Sequence, residues 1–225
     1  CQRERVEEQT VSMTVPLQAH DFRTWIVDGI KWKGRIMKTE FYELVEENPV
    51  IAAIKDEKGL EVCCQCQNIR LVFILYGTVC DIDHIVARVK EAGKTAVVHI
   101  DLIEGLSGKE VAVDFIRSRT KADGIISTKP ALIKQAKKKG LYTILRAFIL
   151  DSMSLRNVAK QIAAAEPDML EMLPGLMPKI IRNVEHMSKV PVIAGGLISD
   201  KEDIMSALSA GAISVSSTNP EVWEM

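Results

Sequence analysis

The chain has 225 residues, of which 47% are hydrophobic, and this length suits either one large α/β domain or two small ones. Its formal net charge of -1 excludes a general attraction to phosphate polymers, so any nucleic-acid binding must come from a local basic patch. The sequence has neither a stretch apolar enough to cross a bilayer nor a charged-then-apolar signal segment at its start, which predicts a cytoplasmic protein with no membrane partner.

The first 36 residues show no sustained hydrophobic periodicity, although they hold two of the three tryptophans. The junction KGRIMK is compatible with a translated, purine-rich ribosome-binding sequence directly ahead of a start codon for Met37. We therefore expect a non-native or disordered extension over residues 1–36 and a single domain over residues 37–225. The alternative is a genuine amphipathic arm, centred on FRTWIVDGIKW, that packs on a partner.

From residue 49 onward, short β-branched runs alternate with helical stretches whose apolar residues recur every three or four positions. Eight runs are strand candidates: VIAAI (50–54), LVFIL (71–75), TAVVHI (95–100), ADGIIS (122–127), YTILRAFIL (142–150), DMLEML (168–173), VPVIAGG (190–196) and AISVSS (212–217). Eight such units predict an α/β fold, a compact TIM-type (β/α)8 barrel. The first helix should be reduced, since DEKGLEVCCQCQN leaves room for only about two turns. A doubly wound open sheet is the alternative, disfavoured because no GxGxxG follows the first strand.

The cysteines are odd in number, and three of them crowd into CCQCQ within this first unit; they are Cys1, Cys63, Cys64, Cys66 and Cys80. That spacing does not suit a disulfide framework, and the only histidine near the cluster is His84. We expect the buried thiols of a reduced protein, without a metal ion or a cofactor.

Polar side chains appear where the predicted strands end. His99 and Asp101 are two residues apart, so they share one side of the third strand and should point into the lumen of a barrel. The helix-facing side would be covered by Val98, Ile100 and Leu102. The same alternation turns further side chains toward the lumen: Arg146, Glu171, Lys55 or Asp56 from the first strand, and Ser127 or Lys129 from the fourth. With Glu104 and Gly175 from the loops, these residues predict a ligand pocket, although a self-neutralising polar plug explains any single one of them.

The last two strands predict a phosphate site. Gly195 and Gly196 let a ligand approach bare backbone after the seventh strand. A turn of hydroxyl and amide side chains, Ser217, Thr218 and Asn219, follows the eighth strand. Either Thr218, with Glu221 in a capping box, or Asn219, with Pro220 at the first helical position, would start a helix there. Free N–H groups at such a start suit an anion, and many barrels bind phosphate after strands seven and eight.

Six segments together resemble a known family: NPVIAAIKD, VVHIDLIEGLSGKEVAVDFI, ADGIISTKPALIKQAKKKGLYTILRAFILDSMSL, PDMLEMLPGLMPKII, PVIAGGLIS and AGAISVSSTNPEVW. Over residues 40–223 the chain is similar to the glycerol uptake operon antiterminators, glycerol-3-phosphate-responsive regulators of bacterial glycerol genes. The resemblance implies a TIM-type barrel that senses glycerol 3-phosphate and acts on the mRNA leader of glycerol genes, so that polymerase reads past a terminator. It would make the polar residues of HIDLIEG part of the sensor pocket.

The residues themselves favour a binding protein over an enzyme only modestly. A Schiff-base aldolase requires a reactive lysine, expected at the end of the sixth strand, and the segment DMLEMLPG contains no lysine. The alternative is a barrel enzyme that acts on a glycerol phosphate, of the phosphodiesterase or isomerase type, with His99 and Asp101 as an acid–base pair.

The segment KQAKKKG has the densest positive charge in the chain and is the first choice for an RNA contact, through Lys134, Lys137, Lys138 and Lys139. The other basic segments are IRSRTK (116–121) and KIIR (179–182), and for all three an ordinary solvated helix face is the more common explanation. The residue pattern does not distinguish a monomer from a homo-oligomer.

Overall fold

The structure is a computed structural model that describes residues 40–225 in full, together with the backbone of residues 31–32, 35–36 and 39. Eight parallel strands form a closed barrel whose order around the ring follows the order along the chain. These strands, β1 to β8, are Val50–Ile54, Leu71–Ile74, Thr95–His99, Gly124–Ser127, Tyr142–Phe148, Met169–Leu173, Val192–Gly195 and Ser214–Ser217. The pairing of β8 with β1 closes the ring. The predicted TIM-type barrel is therefore confirmed.

Helices alternate with these strands around the barrel. In chain order, α1 to α9 are Thr39–Glu47, Glu57–Gln65, Ile82–Glu91, Val111–Arg119, Pro130–Lys138, Ser152–Ala165, Pro178–Met187, Lys201–Ser209 and Pro220–Trp223. The helix after the first strand, α2, has nine residues, so the two expected turns are present. The helices α4, α5 and α8 have nine residues as well, so α2 is not distinguished by its shortness.

The helices pack on the outside of the barrel through one apolar side each. In α3 the buried residues are Ile82, Ile85, Val86 and Val89, a spacing of three and four that forms one stripe on a helix. Aspartates cap other helices: Asp56 accepts a hydrogen bond from the Gly59 N–H at the start of α2. Within the part of the chain that the structure describes, no helix is long and apolar enough to span a bilayer.

The lower half of the lumen is apolar. Its inward-pointing strand residues are Ile51, Ala53, Leu71, Phe73, Val97, Ile126, Ile144, Met169 and Ile193. Helix α1 closes the amino-terminal end, because Phe41, Tyr42 and Val45 are buried against this layer. The Phe41 ring stacks on Tyr142, with ring centroids 4.1 Å apart. The sequence pattern did not predict this plug, which leaves the polar chemistry of the lumen to the carboxyl ends of the strands.

Most of the predicted extension, residues 1–36, lies outside the described residues. The described part of it is a pair of two-residue strands, in which Lys31–Trp32 runs antiparallel to Arg35–Ile36. The proposal of a start at Met37 therefore stays a prediction.

Candidate functional site

A cavity of about 400 Å³ opens at the carboxyl ends of the strands, above the apolar layer. Its lining comes from β1, β5, β6 and β8 and from the loops after β2, β7 and β8: Ala53, Leu75, Arg146, Glu171, Leu173, Gly196, Leu197, Ile198, Ser199, Ser216, Ser217 and Thr218. A cavity at this end of a TIM-type barrel is where ligands of this fold bind. The cavity is therefore the candidate functional site.

A buried ion pair lies in the wall of the cavity. Arg146 in β5 and Glu171 in β6 are neighbours in register, and both point into the lumen. The Arg146 Nε donates to Glu171 Oε2, and the Ser216 hydroxyl donates to Glu171 Oε1 at 2.6 Å. Both carboxylate oxygens are thus occupied, so Glu171 orients Arg146. Among the described residues no hydrogen bond occupies the two terminal nitrogens of Arg146, which leaves them available to an anion.

Gly195 provides the space for this ion pair. A Cβ atom at Gly195 would lie 2.7 Å from Glu171 Oε1 and 2.6 Å from Ser216 Oγ. The sequence predicted glycine here for the close approach of a ligand, and the structure shows a second reason, the carboxylate of Glu171. Gly196 has a φ of +76°, in the left-handed region that glycine adopts at no steric cost. The N–H of Gly175 donates to the Gly196 carbonyl at 3.1 Å and so joins the loops after β6 and β7.

The turn after β8 is held by its own side chains. The Ser217 hydroxyl donates to the Ile198 carbonyl at 2.7 Å and accepts from the Asn219 N–H at 3.1 Å. The Asn219 side chain accepts from the Glu221 N–H, so Asn219, rather than Thr218, caps α9. The Thr218 side chain is exposed at the mouth of the cavity. A ligand would therefore meet the Thr218 side chain and the backbone of the turn.

A second polar group joins the ends of β3 and β4. The Oδ2 atom of Asp101 accepts hydrogen bonds from the Ser127 hydroxyl at 2.9 Å, the Thr128 N–H at 2.8 Å and the Thr128 hydroxyl at 3.2 Å. The Lys129 Nζ lies 3.5 Å from the other oxygen, Oδ1. Burial alone would raise the pKa of Asp101, but the hydrogen bonds from Thr128 and Ser127, with the charges of His99 and Lys129, lower it overall. Asp101 is therefore a carboxylate at neutral pH.

His99 is buried beside this carboxylate. It is 3% exposed and points into the lumen, in register with Ile126 of β4. Burial, together with the charge of Arg146, lowers the pKa of His99 to about 4, although Asp101 opposes the shift. Within residues 40–225 the buried side-chain nitrogen and oxygen atoms that lack a hydrogen-bond partner are His99 Nδ1 and Asp101 Oδ1. Such orphaned atoms are rare in folded proteins and point to a missing partner.

Several residues of the predicted set do not line the cavity: Lys55, His99, Asp101, Glu104, Ser127, Lys129, Gly175, Gly195 and Asn219. Lys55 and Glu104 are exposed, and Glu104 contributes only its backbone to a bridge with Thr78 in the loop after β2. Lys129, at the start of α5, is half exposed and reaches the site through its ammonium group.

Two orientations differ from the prediction. Ile126 takes the lumen position expected for Ser127 or Lys129, whereas Ser127 is in register with Leu145 on the outer side of the barrel. Ser127 reaches the site only because its hydroxyl bonds to Asp101. Leu102 does not cover the helix-facing side and is 46% exposed, because β3 ends at His99 and the chain continues as a 3₁₀ turn over Ile100–Leu102.

Two contributing residues were missed in the sequence. Ser216 alternates with Ser214 along β8, and the period-two pattern of a barrel strand could have placed it in the lumen. Thr128 supplies two hydrogen bonds to Asp101, and nothing in its local sequence distinguishes it from a loop threonine. Its role depends on the pairing of β3 with β4, which brings the two strand ends together.

The four lysines proposed for RNA lie on α5 and at its carboxyl end, and none of them lines the cavity. Lys137 lies 3.7 Å from a carboxylate oxygen of Asp168, and Lys139 lies 2.7 Å from a carboxylate oxygen of Asp114. Lys134 and Lys138 are exposed. Two of the four predicted lysines thus form ion pairs with acidic neighbours, so the positive charge available to RNA comes from the other two, Lys134 and Lys138.

The thiols differ in their burial. Cys63 is fully buried, as expected, and burial raises its pKa to about 12, whereas Cys80 is exposed. In the described part of the chain, histidine, cysteine and acidic side chains do not gather in groups of three that could hold a metal ion.

Comparison with known proteins identifies relatives of this architecture. The family model described as "Glycerol-3-phosphate responsive antiterminator" matches residues 50–223. The protein YgcP of Escherichia coli (strain K12) is 46% identical over 184 residues, which cover 81% of this chain and 95% of YgcP.

Solved structures agree with this family match. The glycerol uptake operon antiterminator regulatory protein of Listeria monocytogenes superposes with a TM-score of 0.75 at 31% identity, over 78% of this chain and 94% of that one. A glycerol uptake operon antiterminator-related protein of Thermotoga maritima gives 0.70 at 31% identity, over 79% and 99%. A deoxyribose phosphate aldolase of Aeropyrum pernix, at 15% identity and a TM-score of 0.60, covering 80% and 88%, shares the fold alone. The chain belongs to the family of glycerol-3-phosphate-responsive antiterminators.

Proposed function

We propose that this chain is a cytoplasmic sensor of glycerol 3-phosphate that binds the mRNA leader of glycerol-utilisation genes and prevents termination of their transcription. The observation that carries the proposal is the family match over residues 50–223. The cavity at the carboxyl ends of the strands supports it, because an arginine with free terminal nitrogens and a glycine-bearing loop suit a small phosphate ester.

In this proposal the phosphate lies between Arg146 and the backbone at Gly196 and the turn of residues 217–219. The planar guanidinium can bond two phosphate oxygens at once, and Glu171 holds its orientation. Gly196 lines the cavity and would offer its backbone N–H to a phosphate oxygen, whereas a Cβ atom there would lie 3.1 Å from the Leu173 side chain. Glycerol should bind much more weakly than glycerol 3-phosphate, because it lacks the dianion that these groups would recognise.

The RNA contact is proposed for the exposed lysines of α5, Lys134 and Lys138. Reversal of both charges should weaken RNA binding and flatten its salt dependence, since each phosphate contact contributes to the salt slope. The binding of glycerol 3-phosphate without RNA should stay unchanged. The matched control is a charge reversal at Lys58, an exposed lysine of α2.

The deciding experiment is a calorimetric titration of the full chain with glycerol 3-phosphate, in the presence and absence of leader RNA. If the two sites are coupled, each ligand must change the affinity for the other by the same factor, commonly about 5- to 150-fold. In a transcription assay on a template with the leader terminator, read-through should rise only when protein and glycerol 3-phosphate are both present. Equal RNA affinity with and without the ligand would contradict the proposed output.

We further propose that the site binds its ligand without turning it over. The enzyme alternative predicts hydrolysis or isomerisation of glycerol phosphates that is lost in His99→Ala, since His99 is the candidate acid–base group. Incubation of the pure protein with these esters, followed by phosphorus NMR, distinguishes the sensor from the enzyme. Unchanged spectra support the sensor, and a His99-dependent product would favour the enzyme.

A further inference from the structure

We infer that His99 and Asp101 read two neighbouring hydroxyl groups of the ligand, so that the site selects a vicinal-diol phosphate over the corresponding ketone. This inference rests on the proposed function, and it assigns the ligand's uncharged end to the ends of β3 and β4. The ketone in question is dihydroxyacetone phosphate, which differs from glycerol 3-phosphate by a carbonyl in place of the central hydroxyl. Selection against it would let the sensor report the reduced compound alone.

The first support is the pair of orphaned atoms. His99 Nδ1 and Asp101 Oδ1 are buried and lack hydrogen-bond partners, whereas the other oxygen of Asp101 accepts three hydrogen bonds. Lys129 Nζ, 3.5 Å from Oδ1, is beyond the usual hydrogen-bond range of about 2.7–3.2 Å. A buried polar atom without a partner is costly, so these atoms fit a ligand that brings a hydroxyl group to each of them.

The second support is the polarity of the orphaned atoms. An ionised carboxylate only accepts hydrogen bonds, so Asp101 Oδ1 requires a donor, whereas the Nδ1 atom of a neutral imidazole accepts or donates according to its tautomer. Two hydroxyl groups on adjacent carbons can each donate one hydrogen bond. A carbonyl cannot donate, so a ketone oxygen placed against Asp101 Oδ1 would leave that acceptor unpaired.

The third support is the way in which Asp101 is held. Ser127 and Thr128 donate all three of their hydrogen bonds to Oδ2, which fixes the carboxylate and aims Oδ1 away from them. In Asp101→Asn the amide oxygen would keep these three donors, and the NH₂ group would occupy the position of Oδ1. The substitution thus converts the orphaned acceptor into a donor with little change of shape, and a donor suits a carbonyl.

The test is a calorimetric titration of the full chain with glycerol 3-phosphate and, separately, with dihydroxyacetone phosphate. The wild type should bind the diol at least about tenfold more tightly than the ketone, since one unpaired buried acceptor costs about that factor or more. Asp101→Asn should lose at least about tenfold for the diol and shift the ratio toward the ketone. The control is Asp83→Asn, the same change at an exposed position of α3, which should leave both affinities unaltered.

The outcomes separate this inference from the proposed function. Equal wild-type affinity for the two compounds overturns the hydroxyl selection and leaves glycerol 3-phosphate sensing intact. Failure of the wild type to bind glycerol 3-phosphate overturns both. If Asp101→Asn does not fold, as a thermal melt would show, the wild-type ratio of the two affinities still decides the inference.

Discussion

Replacement of Gly195 by alanine tests whether the buried ion pair is clamped as tightly as the structure indicates. The added methyl group would lie 2.7 Å from Glu171 Oε1 and 2.6 Å from Ser216 Oγ, well inside van der Waals contact. The φ of Gly195 does not lie in the left-handed region, so alanine is acceptable to the backbone and the clash alone is tested. The carboxylate must move, and it then weakens its hydrogen bonds from Ser216 and Arg146.

The size of the effect follows from these contacts. Overpacking of a core costs about 1–3 kcal/mol, and the loss of one hydrogen bond to a charged group costs about 1.5–3 kcal/mol. Because the hydrogen bonds are weakened rather than lost, we take about 3 kcal/mol, near the lower end of the sum of these two costs, and the melting temperature of a chain of this length should then fall by about 6–12 °C. Calorimetric melts of the wild type and Gly195→Ala measure the change directly.

The matched control is Gly59→Ala in α2. Its added Cβ would lie 3.3 Å from Asp56 Oδ1, an exposed side-chain atom that has to shift by only a few tenths of an ångström, and 3.7 Å from Ile54. Alanine is favoured over glycine within a helix by about 0.5–1 kcal/mol, and this variant should melt at or slightly above the wild-type temperature. A melting temperature of Gly195→Ala within about 1 °C of wild type would refute the clamp, because Glu171 would then have room to move aside.

Two further predictions concern the charged groups of the site. His99 has a pKa of about 4 in the folded chain and an ordinary value of 6.5 when unfolded, so the free energy of unfolding should fall by up to about 3 kcal/mol as the pH drops from 6.5 toward 4. Urea melts across this range should show a shallower pH dependence for His99→Gln than for the wild type. Parallel curves for the two proteins would contradict the burial of the ring. Removal of one partner of the buried pair in Glu171→Ala should cost about 3–5 kcal/mol, because Arg146 is left without its counter-charge. Guanidinium melts measure the loss, and a value below about 1 kcal/mol would show that solvation from the cavity replaces the carboxylate.

The barrel architecture could be predicted because each of its strands and helices has a recognisable pattern of apolar residues over a short stretch of sequence. Each strand is a short apolar run and each helix has its own apolar stripe, so no long-range information was needed to expect eight repeats. The alternation of side chains along β5 and β6 placed Arg146 and Glu171 on the lumen side, where the structure has them. Their direct contact could not be read from the sequence, because it depends on the register between the two strands.

The details that were missed depend on partners distant in the chain. Helix α1 packs its aromatic residues on the first residues of strands that are far apart in the sequence, for example Phe41 on Tyr142. Lys139 and Lys137 are paired with Asp114 and Asp168 on neighbouring segments, so the run of lysines looks more strongly basic in the sequence than it is on the surface. The choice between Thr218 and Asn219 as a cap was undecidable locally, since both residue types fit.

The plug formed by α1 closes the barrel below the site with apolar side chains, so solvent reaches the site from the opposite end only. Below the ion pair lie hydrocarbon side chains and the ring of Phe41, and above it lies the open mouth, so dissolved ions approach Arg146 from one direction only. At physiological salt, counter-ions largely screen the interaction between exposed charges that are more than about 8 Å apart, and they screen partly buried charges much less. Ionic strength should therefore act unequally on the two ends of the proposed regulator: attraction of an anion into the barrel fades slowly with added salt, while attraction to the lysines on its outer wall fades fast.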